Sequence, residues 1–190
     1  MPNLYIIAGC NGAGKTSVAY TLLPDIVACK EFVNADEIAR GLSPFNVESV
    51  AFEAGRLMLQ RIDNLLVKQV DFALETTLST RSYVQLIKRA KAIGYQVSMV
   101  YTCLNSVELA KARVESRVAA GGHAIPEEVI ERRYERSLRN LHKLYLPICD
   151  RWIAVDNSLA ELRLIAQGRL LDCVIVNTEL WTWLEQYADE

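Results

Sequence analysis

The eight residues GCNGAGKT, positions 9–16, constrain this chain more than any other stretch. They fit G-x-x-x-x-G-K-[ST], in which glycines let the backbone wrap an anion and amides at a helix N-terminus point inward. The flanks agree. An apolar run at residues 4–8 leads in as a strand, and KTSVAYTLL leads out as an amphipathic helix. Such a loop predicts that the amides of Gly12, Gly14 and Lys15 face a phosphate. Lys15 then bridges the β- and γ-phosphates, and the Thr16 hydroxyl ligates Mg²⁺. Gly9, Asn11, Ala13 and Ser17 complete the expected nucleotide-binding set.

The 190 residues suit a single domain, 1–190, with a sizeable core. A net charge of −2 carries no electrostatic footprint of a nucleic-acid binder, and no apolar run approaches the 18 residues of a membrane span. Five scattered cysteines without C-x-x-C read as reduced thiols, and the absence of a basic leader before the first strand makes the cytoplasm the expected location. Cys10 lies inside the loop, where oxidation would block nucleotide; a passive spacer is the simpler reading.

Short β-rich runs at 4–8, 32–34, 72–75, 97–104 and 152–155 alternate with helical stretches. Residues 47–66 show the helical pattern well, with Val47, Val50, Ala51, Ala54, Met58, Ile62, Leu65 and Leu66 on one stripe. The expectation is an α/β, three-layer fold of the P-loop NTPase and nucleotide-kinase type: a parallel five-stranded sheet with helices on both faces. After residue 158 the pattern changes. Segments 162–166 and 173–176 flank GRLLD as a C-terminal β-hairpin, and TELWTWLEQYA reads as a last, structural helix.

In open parallel sheets ligands bind beyond the carboxyl ends of strands, which directs attention to three segments. The second strand ends in FVNADEIA, where Asp36 either accepts a proton from a substrate hydroxyl or caps the following helix. Glu37 falls in the first helical turn as a dipole partner. The third strand delivers ETTLSTR, and Glu75, Thr77 and Arg81 are candidate contacts for a hydroxyl-rich ligand. Glu75 is also a candidate for the Mg²⁺ shell, while the threonines serve equally as caps. The fifth strand ends in VDNS, where Asn157 stands near the expected nucleotide base or caps the next segment. The fourth strand, QVSMVYTCLNS, lacks the acid of a motor-type ATPase, and no N-K-x-D-like guanine reader follows any strand. ATP and transfer to an acceptor are therefore favoured.

Residues 106–140 read as two helices around GGHAIP, a lid-like segment with a double glycine as hinge. Arg113 and Arg117 meet on one helical face. Arg117 and Arg133 border the buried stripes and are the leading candidates to reach a phosphate, followed by Arg113 and Arg136; Arg132 and Arg139 read as solvated. His123 sits in the lid as a candidate substrate contact or a turn cap. His142 has no partner at metal-ligand spacing.

Taken in order, GCNGAGKT, NADEIA, LETTLSTR, ARVESRVAAGGHAIP with RRY, and DNS resemble the zeta-toxin family of P-loop small-molecule kinases, over residues 9 to about 158. That resemblance implies ATP and Mg²⁺ as cofactors and a UDP-N-acetylglucosamine-like sugar nucleotide as acceptor. It makes Lys15 the phosphate contact and Asp36 the base, with Glu75 and Thr77 in the sugar site and Arg117 and Arg133 on the transferring phosphate. It also implies a small helical antitoxin as partner. The chain departs from the family at Thr76, where a glycine is usual, and at Ser79, where an arginine is common. A nucleotide-dependent switch without an acceptor, and a nucleic-acid end kinase, are the alternatives.

Overall fold

In the computed structural model, residues 1–25, 27–170 and 172–187 are described. Strands β1 (Asn3–Ala8), β2 (Phe32–Val33), β3 (Phe72–Thr76), β4 (Gln96–Cys103) and β5 (Arg151–Asp156) pair in parallel in the order β2-β3-β1-β4-β5. Consecutive β1 residues point to opposite sides, as the pleat requires. Leu4, Ile6 and Ala8 enter a large core with α3 (Ala51–Lys68), α4 (Ser82–Ala92), α5 (Val107–Ala119) and α6 (Glu127–Asn140). Tyr5 and Ile7 enter a smaller core with Ala19 and Leu23 of α1 (Lys15–Asp25). Helices therefore cover both faces.

The sheet itself differs from the expected one. It has seven strands and is mixed, because the C-terminal hairpin joins it. Strand β6 (Arg163–Arg169) pairs antiparallel with β5, and β7 (Asp172–Ile175) pairs antiparallel with β6. The hairpin was legible as local strand propensity; its docking was not, because it depends on a tertiary fit. A Cβ on Gly168 would lie 2.4 Å from the Trp152 indole, so the bare glycine lets β6 lie beside that ring. Trp181 of α7 (Thr178–Gln186) stacks on Trp152, with ring centroids 5.6 Å apart and 11° between planes. Of the GRLLD segment, Gly168 and Arg169 belong to β6 and Leu170 turns at φ 55°, whereas Leu171 lies outside the described residues.

The helical stretch at 47–66 resolves into a 3₁₀ turn (Val47–Val50) and α3; Ala54, Met58, Ile62, Leu65 and Leu66 of the expected stripe are buried, whereas Val47 and Val50 are half-buried and Ala51 is exposed, because the stripe faces the core only from α3 onward. Helix α2 (Ala35–Leu42) follows β2 and packs on α3. In α6 the stripe of Ile130, Tyr134 and Leu138 is buried and continues into a π-helical turn with Leu141 and Tyr145. Pro126 stands at the N-cap of α6, where the lid segment re-enters helix. No described helix is long and apolar enough to cross a membrane.

Candidate active site

The phosphate loop is shaped by contacts that leave no room for side chains. Gly9 adopts φ +145°, and a Cβ there would sit 2.0 Å from the Thr102 carbonyl oxygen. Gly14, at φ +82°, would place one 2.5 Å from Asn157 Nδ2. Asn157 is close because its amide donates to the Ala13 carbonyl at 2.9 Å, which ties the end of β5 to the loop. The neighbouring Asp156 is fully engaged instead, accepting from Arg163 and from the Ser158 amide. Cys10 is buried, and burial pushes its thiol up to about 11 despite nearby Lys15, so it stays a neutral spacer.

Lys15 is 7% exposed. Its Nζ donates to the Cys10 carbonyl at 2.9 Å and lies 3.7 Å from Glu75 Oε1. Thr16 Oγ1 donates to Glu75 Oε2 at 2.8 Å, and Asn34 Nδ2 donates to the same oxygen at 2.9 Å. The two expected oxygen ligands of a Mg²⁺ ion thus already converge, and hard oxygen donors of this kind suit that ion. Burial lifts the Glu75 carboxyl above the usual range, against the pull of Lys15 and Thr16 and with Asp36 and Glu37 adding to the rise.

Asn34 takes the capping role that was one of the two readings of Asp36. It is Asn34 that caps α2, its Oδ1 accepting from the amides of Asp36 at 2.8 Å and Glu37 at 3.3 Å. The Asp36 carboxylate, relieved of capping, lines a cleft of about 470 Å³ together with Lys15, Thr16 and Glu75. Sequence reasoning placed Asn34 beyond the strand without assigning it a role. The signal was the asparagine at the strand-to-helix junction, a residue type strongly preferred at N-caps.

Arg113, Arg117 and Arg133 line the same cleft as Glu75. Arg133 Nη1 approaches Asn11 Oδ1 at 3.5 Å, and the Arg113 Cβ packs against Gly12, so both reach the loop from the lid helices. Arg132 and Arg136 are exposed and outside the cleft. Hydroxyls also line this cleft: Thr77 and Ser79 bond each other at 2.8 Å, Thr80 and Ser82 at 2.9 Å, and the Tyr83 phenol donates to the Met58 sulfur at 3.7 Å. Of the residues read from the sequence, Arg81 is exposed and does not line the cleft. His123 lines an adjacent cleft, its Nε2 3.8 Å from Glu48 Oε1. Asn157 borders a third, more apolar one with Val18 and Leu162.

Five parallel strands in the order 2-3-1-4-5 within the mixed sheet, with a phosphate loop after β1 and a carboxylate after β2, define a P-loop, kinase-like fold. The zeta toxin family model matches residues 1–162, and the chain belongs to that family. It is 33% identical over 126 residues to an uncharacterised protein of Haemophilus influenzae, covering 66% of this chain and 88% of that one. Among solved structures, AvrRxo1-ORF1 in its complex with ORF2 and ATP superposes with a TM-score of 0.79 at 18% identity, over 97% of this chain. This chain spans 63% of the length of that neighbour. The PezAT toxin–antitoxin system of Streptococcus pneumoniae gives a TM-score of 0.65 at 15% identity, over 100% of this chain and 86% of the other. A proposed kinase of Chloroflexus aurantiacus gives 0.64 at 16% identity, over 98% of both chains. At these identities the solved structures speak for the fold.

Proposed function

We propose that the protein transfers the γ-phosphoryl group of ATP, in the presence of Mg²⁺, to a hydroxyl of a small sugar-containing metabolite such as a UDP-N-acetylglucosamine-like sugar nucleotide. The observation that supports this most is the free Asp36 carboxylate, released from capping by Asn34 and facing the phosphate loop across one cleft. A hydrolase needs only to place water there; the hydroxyl wall of Thr77, Ser79, Thr80, Ser82 and Tyr83 suits a polyhydroxylated acceptor.

In this reading Asp36 takes the proton of the acceptor hydroxyl as its oxygen bonds the γ-phosphorus and the bond to the ADP oxygen breaks. Lys15 leaves the Cys10 carbonyl for the phosphates. Thr16 and Glu75 hold Mg²⁺, which supplies charge neutralisation on the phosphate oxygens. Arg117 and Arg133 meet the charge that spreads over the transferring group. Segment 106–140 acts as the lid that brings them in, and Asn157 orients the loop beside the ATP base. Location in the cytoplasm and an antitoxin-type protein partner belong to the same reading; the latter draws on PezAT, a toxin–antitoxin system.

The test is transfer from γ-labelled ATP with Mg²⁺ into UDP-sugars, free sugars and nucleosides. Asp36→Asn is expected to lower kcat by about 10²–10⁴ with ATP affinity retained. Label released only as free phosphate, equally in both proteins, would remove Asp36 from the mechanism and favour a nucleotide switch.

A further inference from the structure

Asp156 ends β5 and is 1% exposed, and nothing in the proposed transfer uses it. An aspartate is almost never buried so completely unless its charge is paired and its oxygens are bonded. Both oxygens are occupied here. Oδ2 accepts from Arg163 Nε at 3.1 Å and from Nη2 of the same guanidinium, a two-pronged pair that joins the end of β5 to the first residue of β6. Oδ1 accepts from the Ser158 amide at 3.0 Å and from the Ser158 hydroxyl. The amide bond closes a turn in which an aspartate side chain stands in for backbone two residues on. The carboxylate thereby sets the conformation of residues 156–158.

Three bonds leave that turn for different parts of the site. Asn157 Nδ2 donates to the Ala13 carbonyl at 2.9 Å, inside the phosphate loop. The Ser158 carbonyl accepts from Arg113 Nη2 at 3.4 Å, and Arg113 lines the catalytic cleft from α5. The Ser158 hydroxyl accepts from the Asn105 amide at 2.8 Å, one residue before Ser106 caps α5. One buried carboxylate thus stands behind both the loop and the lid helix while lining no part of the cleft. We propose that Asp156 is a positioning residue. Acting through Asn157 and Ser158, it holds the phosphate loop and α5 in register, so that the grip on nucleotide and the aim of Arg113 depend on it. The C-terminal hairpin gains a part in the site as well, because its Arg163 holds the carboxylate. This rests on the kinase reading for the role of Arg113, but nucleotide binding tests it apart from turnover.

The experiment titrates a non-hydrolysable ATP analogue with Mg²⁺ into the full chain, at a temperature where circular dichroism shows each variant folded. Asp156→Ala and Asn157→Ala are each expected to weaken binding by about 3- to 10-fold, the worth of roughly one hydrogen bond. The double variant is expected to bind within about twofold of Asn157→Ala alone, since one residue acts through the other; independent losses would multiply. Asp156→Asn keeps an acceptor for the Ser158 amide and is expected to recover affinity to within about threefold of wild type. A residue serving the fold alone would lower stability and leave the affinity of the folded protein untouched. Should Asp156→Ala not fold, Ser158→Ala, at a half-buried position, runs the same cycle with the same lack of additivity expected. Wild-type affinity in Asp156→Ala or its substitute, wild-type affinity in Asn157→Ala, or losses that multiply would overturn the proposal. The expected binding pattern with no acceptor labelled by any protein would sink the kinase reading and leave the positioning role standing. Transfer by wild type, with Asp156→Ala unchanged in ATP affinity and kcat, would do the reverse.

Discussion

The phosphate loop and the proposed acceptor side stand at the same end of one sheet but are held by different means. The loop is set by backbone: Gly9 lies against the Thr102 carbonyl, Ala13 is fully buried, and Asn157 clamps the Ala13 carbonyl from β5. The proposed acceptor side is set by side chains on loops and half-exposed helix faces, with Asp36, Thr80 and Arg117 all open to solvent. Backbone cradles tolerate almost no change in residue type, whereas a side-chain wall can be rewritten without disturbing the fold.

The largest expected effect tests whether the lid arginines belong to the reaction or to the surface. Arg133→Ala removes the guanidinium that reaches Asn11 and is expected to lower kcat by about 10³ or more, by comparison with arginines that stabilise phosphoryl transfer. Arg132→Ala, one residue away and pointing to solvent, is expected to leave kcat within about twofold. Steady-state kinetics of the two variants side by side decides it. Equal losses would mean that α6 acts as a charged surface rather than through one aimed side chain.

The next effect is on stability. Gly9→Ala drives a methyl into the Thr102 carbonyl from a left-handed backbone, and overpacking of that kind with added strain should cost about 2–5 kcal/mol. Thr80→Ala, on the proposed acceptor side, should stay within about 0.5 kcal/mol. Urea unfolding of both variants measures the contrast directly. A Gly9→Ala protein as stable as wild type would show that the loop yields, and the cradle would lose its special standing.

Much of this was legible in the sequence, for reasons tied to particular residues. The loop announced itself because its glycines obey a backbone requirement. The stripes of α3 and α6 were readable because burial imposes a 3.6-residue period, and that period also separated Arg133 from Arg132. Asp36 was found but left with two roles, because strand-end position alone does not say whether Asn34 or Asp36 caps α2. The hairpin was recognised locally, yet its place as β6 and β7 depends on Gly168 meeting Trp152, a contact between residues 16 positions apart in sequence with no periodic trace. Asp156 carried no signal beyond its place at a strand end. Its ties run through Arg163 and Ser158 to a hairpin and a helix that meet only when the chain is folded.

Glu75 stands on the border between cradle and wall, and its titration gives the smallest but most diagnostic effect. Burial is the largest influence and lifts its carboxyl; Lys15 and the Thr16 hydroxyl pull it down without cancelling the rise. In the unfolded chain the same group ionises near about 4.3. Between that value and the higher folded one, the native protein holds a proton that the unfolded chain has released. Stability therefore falls as pH rises through the window, and the penalty is complete above the folded pKa. Glu75→Gln has no such proton. In metal-free urea unfolding between pH 4 and 7, the stability of wild type relative to Glu75→Gln is expected to decline with pH. A difference that instead grows with pH would mean that the ion pair with Lys15 outweighs burial, so that the carboxylate of the wall braces the lysine of the loop before any nucleotide arrives. The two regions would then be one electrostatic unit, and substitutions on the acceptor side would carry over into ATP affinity.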